Sequence, residues 1–216
     1  MSQDFFEAAT GGDVSKVRAM LQADPSLARS RDDNGVSVIM KAMYYGKKEV
    51  VAALLESGVE LDVFEATATG CVDRVTSLIA QDPTLANAYS ADSFTPLGFA
   101  VFFGQPEVVK ALLAAGAEVN AASRESMKVT PLASAAAAKQ TDIARLLIQH
   151  GANLNARAAS GHIPLHEASA NGNVELVKLL IENGSDVNAK TDDGKTPLDF
   201  AIEYKRAEVV ELLEKS

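Results

Sequence analysis

Apolar residues along this 216-residue chain keep helical spacing rather than strand alternation. The clearest stretch runs from Glu107, where Val108, Val109, Leu112 and Leu113 stand at i, i+1, i+4 and i+5 on one helical face. Gly116 just beyond them suits the left-handed residue that ends such a helix. A second kind of segment recurs: Phe94-Thr95-Pro96-Leu97, Val129-Thr130-Pro131-Leu132, Ile163-Pro164-Leu165-His166 and Lys195-Thr196-Pro197-Leu198. Where the slot holds Thr, its hydroxyl can cap a helix, and Pro at the first helical position gives up an N–H that has no partner there anyway. Each segment therefore predicts a first helix, followed by a second amphipathic helix and a close of the form Gly-Ala/Ser-x-Val/Leu-Asn-Ala. One helix pair cannot bury both of its faces. Pairs stacked side by side can, and 36 Ala residues suit the close approach of neighbouring helices.

Indexed by the Thr slot, the units begin at Gln3, Ser37, Leu61, Thr95, Thr130, Ile163 and Thr196, with spacings of 34, 24, 34, 35, 33 and 33 residues. Seven units of about 33 residues account for one domain over 1–216, divided approximately into 1–31, 32–60, 61–89, 90–122, 123–157, 158–190 and 191–216. The spacing of 24 removes the connecting segment before the third unit. That unit, Asp62-Val-Phe-Glu-Ala-Thr-Ala-Thr-Gly70, mirrors the start of the chain, Asp4-Phe-Phe-Glu-Ala-Ala-Thr-Gly-Gly12, and both run on into Asp-Pro-Ser/Thr-Leu-Ala at Asp24 and Asp82. The first two units thus read as a short block to which a second start is fused. An excess of two residues within 123–129 predicts a longer connection into the fifth unit.

The Thr-Pro-Leu-His openings and Gly-Ala-x-Val-Asn-Ala closes resemble the ankyrin repeat over essentially the whole chain, and the Asp-Pro-x-Leu-Ala closings are similar to those of compact stand-alone bacterial members. The resemblance implies an all-α solenoid of about seven helix-turn-helix repeats joined by short hairpin fingers, with the finger before repeat 3 missing. It also implies a non-catalytic protein-protein interaction module, an adaptor or regulator, whose inner helices and fingers line a concave surface.

Charge narrows the choice of partner. With 20 Lys and Arg against 29 Asp and Glu, the formal net charge of −9 opposes nucleic acid or an anionic membrane, which need clustered cations. No apolar run reaches the length of a membrane span, and the first residues lack the basic and apolar regions of a signal peptide, so a cytoplasmic, monomeric protein without a cofactor is expected. Cys71, the lone cysteine, excludes an intrachain disulfide and a zinc site built on several thiolates.

Catalytic motifs are missing: the sequence has no Gly-x-Ser-x-Gly elbow, phosphate-binding loop or dinucleotide fingerprint. His162 and His166 stand four apart beside Glu167, but Pro164 lies between them and no third metal ligand is indicated. The resemblance gives His166 a structural hydrogen bond at a helix start. His150, before Gly151, suits a helix C-terminus. Cys71 falls in a slot held elsewhere by Asp13, Lys47, Gln105, Gln140, Asn173 and Arg206, so it reads as a partly exposed bystander. Asn120, Asn155 and Asn188 read as turn residues.

Aromatic residues supply the specific signal. There are eight Phe, four Tyr and no Trp. The slots seven and eight residues after the Thr slot hold Tyr44 and Tyr45 in repeat 2 and Phe102 and Phe103 in repeat 4, while repeat 3 holds Ala68 and Thr69. Phe94 lies on a finger; Phe99 and Phe200 lie on inner helices, where packing is the favoured role. Small residues and a missing finger in repeat 3 predict an open recess, hence an aromatic groove over repeats 2–4 walled by Tyr44, Tyr45, Phe99, Phe102 and Phe103. Asp33, Asp92 and Arg124 would stand at its rim. The occupant is read as an apolar or aromatic segment of a protein, with a small apolar or aromatic ligand sensed in the same recess as the alternative.

Overall fold

A computed structural model describes residues 2–216, with side chains from residue 3 onward. Fourteen α-helices are present among the described residues, arranged as consecutive pairs. The pairs are α1 (Ser2–Gly11) with α2 (Val14–Ala23), α3 (Val38–Tyr44) with α4 (Lys48–Glu56), α5 (Val63–Thr69) with α6 (Val72–Gln81), and α7 (Pro96–Phe102) with α8 (Pro106–Ala114). They continue as α9 (Pro131–Ala137) with α10 (Thr141–Gln149), α11 (Pro164–Asn171) with α12 (Val174–Glu182), and α13 (Pro197–Glu203) with α14 (Ala207–Leu213). Odd-numbered helices pack on odd-numbered neighbours to form an inner row, and the even-numbered helices lie behind them, α2 packing on α4 and the helices from α6 to α14 each on the next.

The local chemistry is that of the slots. Ser37, Thr95, Thr130 and Thr196 each accept a hydrogen bond at the side-chain oxygen from the N–H three residues on, and Pro follows the last three directly. At Ile163, which has no hydroxyl, His166 Nδ1 accepts from the Ile163 N–H at 3.1 Å instead. His150 Nδ1 lies 2.9 Å from the Leu146 carbonyl at the end of α10. Six of the seven inner helices place an Ala in the same slot on the line of closest approach, with Ala42, Ala66, Ala100, Ala135, Ala168 and Ala201 all at 0% exposure, and α1 places Ala8 there at 5%. Any longer side chain there would push adjacent pairs apart. From the even-numbered helices, Leu54, Leu112, Leu147 and Leu180 fill the layer between.

Asn120 and Asn155 do more than turn the chain. Asn120 Oδ1 accepts from the Asn153 N–H at 2.7 Å and Asn155 Oδ1 from Asp186 N–H at 2.9 Å, and Asn87 does the same for Glu118 N–H at 2.8 Å. Each therefore stitches one pair to the next. The doubled start is also visible in three dimensions, because Asp24 and Asp82 cap equivalent 3-10 turns, η1 (Pro25–Arg29) and η2 (Pro83–Asn87).

Fingers are hairpin turns, closed for example by Ser90 N–H to Phe94 O and Thr191 N–H to Lys195 O, both at 2.9 Å. Successive fingers join through Arg124 N–H to Ser93 O, Ala159 N–H to Met127 O and Asp192 N–H to Ser160 O. Between α4 and α5 the chain needs only residues 57–62, whereas residues 115–130 separate α8 from α9. The cap of α5 differs from the expected slot: Leu61 is buried and Asp62 takes over, with Asp62 accepting from Phe64 and Glu65 N–H while Glu65 accepts from Asp62 N–H. With only residues 57–62 to span, the chain enters α5 one residue late, and an acidic capping box satisfies its first N–H groups.

Candidate functional site

Seven-residue helices α3 and α7 of the inner row place their slots seven and eight at their C-terminal ends. Tyr44 closes α3 and Tyr45 caps it; Phe102 closes α7 and Phe103 caps it. Between them lies α5, whose Ala68 offers no bulk. The rings close over this gap from both sides. Tyr44 meets Phe103 at 5.6 Å between centroids and Phe102 at 6.2 Å, and Phe102 meets Phe103 edge to face at 5.0 Å.

Beneath them Phe99 is only 1% exposed, stacked on Phe94 at 5.3 Å and in contact with Phe64 and Phe103 at 6.0 Å. With Val36, Met40 and Ala68 it forms a small hydrophobic core separate from the main one. The open recess expected over repeat 3 is thus filled. An empty hollow above Ala68 would leave several ring faces in water, and closing it buries that apolar area at about 25 cal/mol per Å². Phe99 belongs to the floor and walls nothing.

What stays exposed is the crown: Tyr45 at 62%, Phe102 at 52% and Tyr44 at 38%. Phe94 and Phe103 support it from below, half-buried. The Tyr44 hydroxyl donates to Asp92 Oδ2 at 2.8 Å, so this pair ties α3 to the finger of repeat 4. Burial, then the Asp92 carboxylate, hold the Tyr44 phenol proton far above the ordinary tyrosine range.

Asp33 sits exposed at the tip of the first finger and, with Tyr45, borders an open cleft of about 420 Å³ that Gln3, Phe6 and Thr10 of α1 close on the other side. Arg124 is held elsewhere: its guanidinium lies 3.7 Å above the Tyr89 ring. Tyr44, Phe94, Phe99, Phe102, Phe103 and Asp92 therefore come together, Tyr45 and Asp33 share the adjoining cleft, and Arg124 joins the finger of Asp92 through its N–H while its guanidinium is engaged by Tyr89.

That cleft was not foreseen. Its wall holds the ion pair of Lys41 with Asp32 at 2.8 Å, which lowers the carboxyl and raises the ammonium, in both cases chiefly through their mutual hydrogen bond. Arg31 reaches Asp62 at 2.9 Å and the buried Glu65 at 3.5 Å, tying the first hairpin turn to the start of α5. The Asp-x-x-Glu spacing of Asp62 and Glu65, a helix-start signature, was the available signal.

Elsewhere the chemistry is structural. His166 is fully buried, with Nε2 at 3.2 Å from Lys195 O, and burial lowers its proton affinity. His162 pairs with Glu167 at 3.0 Å, and Phe200 packs edge-on against both imidazoles. Cys71 is partly buried and its sulfur accepts from the Thr69 hydroxyl at 3.4 Å. Among the described residues no three His, Cys, Asp or Glu side chains are grouped to hold a metal, and no helix is long and apolar enough to cross a membrane.

A family model described as ankyrin repeats (3 copies) matches residues 63–158 and 157–216. The serine/threonine-protein kinase VIK of Arabidopsis thaliana is 46% identical over 77 residues, covering 36% of this chain and 17% of the kinase. An ankyrin repeat protein of fowlpox virus (strain NVSL) is 30% identical over 164 residues, covering 72% of this chain and 37% of the viral protein. The E3 ubiquitin-protein ligase KEG of Arabidopsis thaliana is 38% identical over 156 residues, covering 67% of this chain and 9% of the ligase. The chain thus spans well under half the length of these relatives.

Proposed function

We propose, because the chain belongs to the ankyrin repeat family, that it is a non-catalytic recognition module, an adaptor or regulator that binds a partner protein through its concave inner-helix and finger surface. Ankyrin repeats generally mediate protein-protein interaction. The observation that carries the finer reading is the exposed crown of Tyr44, Tyr45 and Phe102 over repeats 2–4, resting on a buried floor that includes Phe99. Exposed aromatics on a rigid base are typical anchors, because they lose little conformational freedom on binding. The binding surface is a raised aromatic strip beside the Tyr45 cleft. A sensor for a small apolar ligand would need an enclosed hollow, and the rings themselves occupy the one that the sequence offered.

The test is affinity capture from the source cell with the intact chain and with a Tyr45→Ala, Phe102→Ala variant. A specific partner should be retained by the first and lost by the second. Equal recovery of that partner on both would place the interface elsewhere.

A further inference from the structure

Three successive fingers bring a carboxylate to the aromatic crown. Asp33 borders the cleft with Tyr45, Asp92 is bonded to the Tyr44 hydroxyl, and Glu125 is exposed on the next finger, which the Arg124 N–H joins at 3.0 Å to Ser93 O beside Asp92. Among the described residues none of these three has a cationic partner within 4 Å.

Three of the nearby cations are already engaged, while Lys128, whose N–H donates to Glu125 O at 3.1 Å, stands exposed on the same finger as Glu125. Lys41 is paired with Asp32, Arg31 with Asp62 and Glu65, and Arg124 lies on Tyr89. The crown is therefore an apolar strip whose rim carries three carboxylates outside any ion pair, on a chain whose formal net charge is −9. The adjoining cleft of about 420 Å³ is lined by the Tyr45 and Phe6 rings and Asp33, and also by Arg31 and the Lys41–Asp32 pair, the two cations being met by Asp62, Glu65 and Asp32. A long cationic side chain can lay its methylenes on such rings and bring its charge to the carboxylate.

We propose that the partner presents an extended, basic segment in which a Lys or Arg enters the Tyr45–Asp33 cleft while a neighbouring apolar side chain rests on Phe102 and Tyr44. This rests on the recognition reading above and adds to it the chemistry of the partner. Acidic segments are repelled by three carboxylates, and uncharged ones gain only the apolar contact.

A random dodecapeptide library displayed on phage, panned on the intact chain, tests this directly. Enriched peptides should carry Lys or Arg within a few residues of an aromatic or large aliphatic residue. Synthesised and measured by fluorescence anisotropy, they should lose about tenfold or more in affinity to an Asp33→Asn, Asp92→Asn, Glu125→Gln variant, and a similar factor as salt rises several-fold. These isosteric changes preserve an acceptor for the Tyr44 hydroxyl, and thermal melting checks that the variant is folded. Enrichment of acidic or uncharged peptides, or affinity indifferent to the three substitutions, overturns the inference and leaves the recognition reading standing. Enriched peptides that bind the Tyr45→Ala, Phe102→Ala variant unchanged overturn the recognition reading itself, and absence of any enrichment overturns both.

Discussion

Replacing Phe99 by Ala distinguishes a filled recess from an open groove. Phe99 is 1% exposed and touches Phe64, Phe94 and Phe103, so truncation removes a whole ring from the centre of the small second core. Large-to-small changes of a buried Phe cost about 3–5 kcal/mol, the sum of lost transfer energy and an imperfectly closed cavity. For a chain of this length the melting temperature should fall by on the order of 10 °C.

Phe102→Ala is the matched control. Its ring is 52% exposed, so less apolar area returns to water and the loss should stay near or below about 1.5 kcal/mol. Urea unfolding followed by circular dichroism measures both. Hydrogen exchange should show α3, α5 and α7 losing protection first in Phe99→Ala, because stability in a solenoid is transmitted between neighbouring repeats. Near-equal losses for the two variants, or a loss below about 1 kcal/mol for Phe99→Ala, would refute the filled-recess argument.

Three further outcomes follow from the same geometry. Tyr44→Phe removes the bond to Asp92 that ties α3 to the finger of repeat 4 and should cost about 1–2 kcal/mol in urea unfolding. Because burial and Asp92 raise the phenol's pKa in the folded state, the stability it contributes is whole below the ordinary value of 10.0 and is lost as pH rises above it; the Phe variant should show a flatter alkaline limb. His166 behaves in the opposite sense: burial lowers its folded pKa, so stability should decline as pH falls through the ordinary value of 6.5, and His166→Gln, melted across that range, should lose this dependence. Asp62→Ala removes the cap of α5 and one partner of Arg31, and should destabilise by about 1–2 kcal/mol with early loss of amide protection at Phe64 and Glu65.

Helix starts were legible because the chemistry of a cap is local. Thr95, Thr130 and Thr196 accept from the N–H three residues on, as any Thr before Pro at a helix start can, and the repeated period fixed where each pair would stack. The shortened connection before repeat 3 could be read in the same way, as a spacing. The start of α5 at Val63 could not, because the exchange of cap from Leu61 to Asp62 depends on how the shortened chain enters the stack and on the reach of Glu65 back to it. Arg124 illustrates the same limit: its place on a finger was predictable, but its capture by Tyr89 was not.

By itself the sequence determined an all-helical stack and the order of its helix pairs, since each repeat contacts little beyond its neighbours and the pattern of one unit governs the whole. It also located the aromatic residues on the inner row. Whether those rings would wall a groove or fill it was decided by tertiary structure alone. Tyr44 and Phe103 belong to different repeats, and only the small side chain of Ala68 and the short connection of residues 57–62 let their rings meet at 5.6 Å. Once they can meet, burying apolar faces together is more favourable than leaving a wet hollow between them.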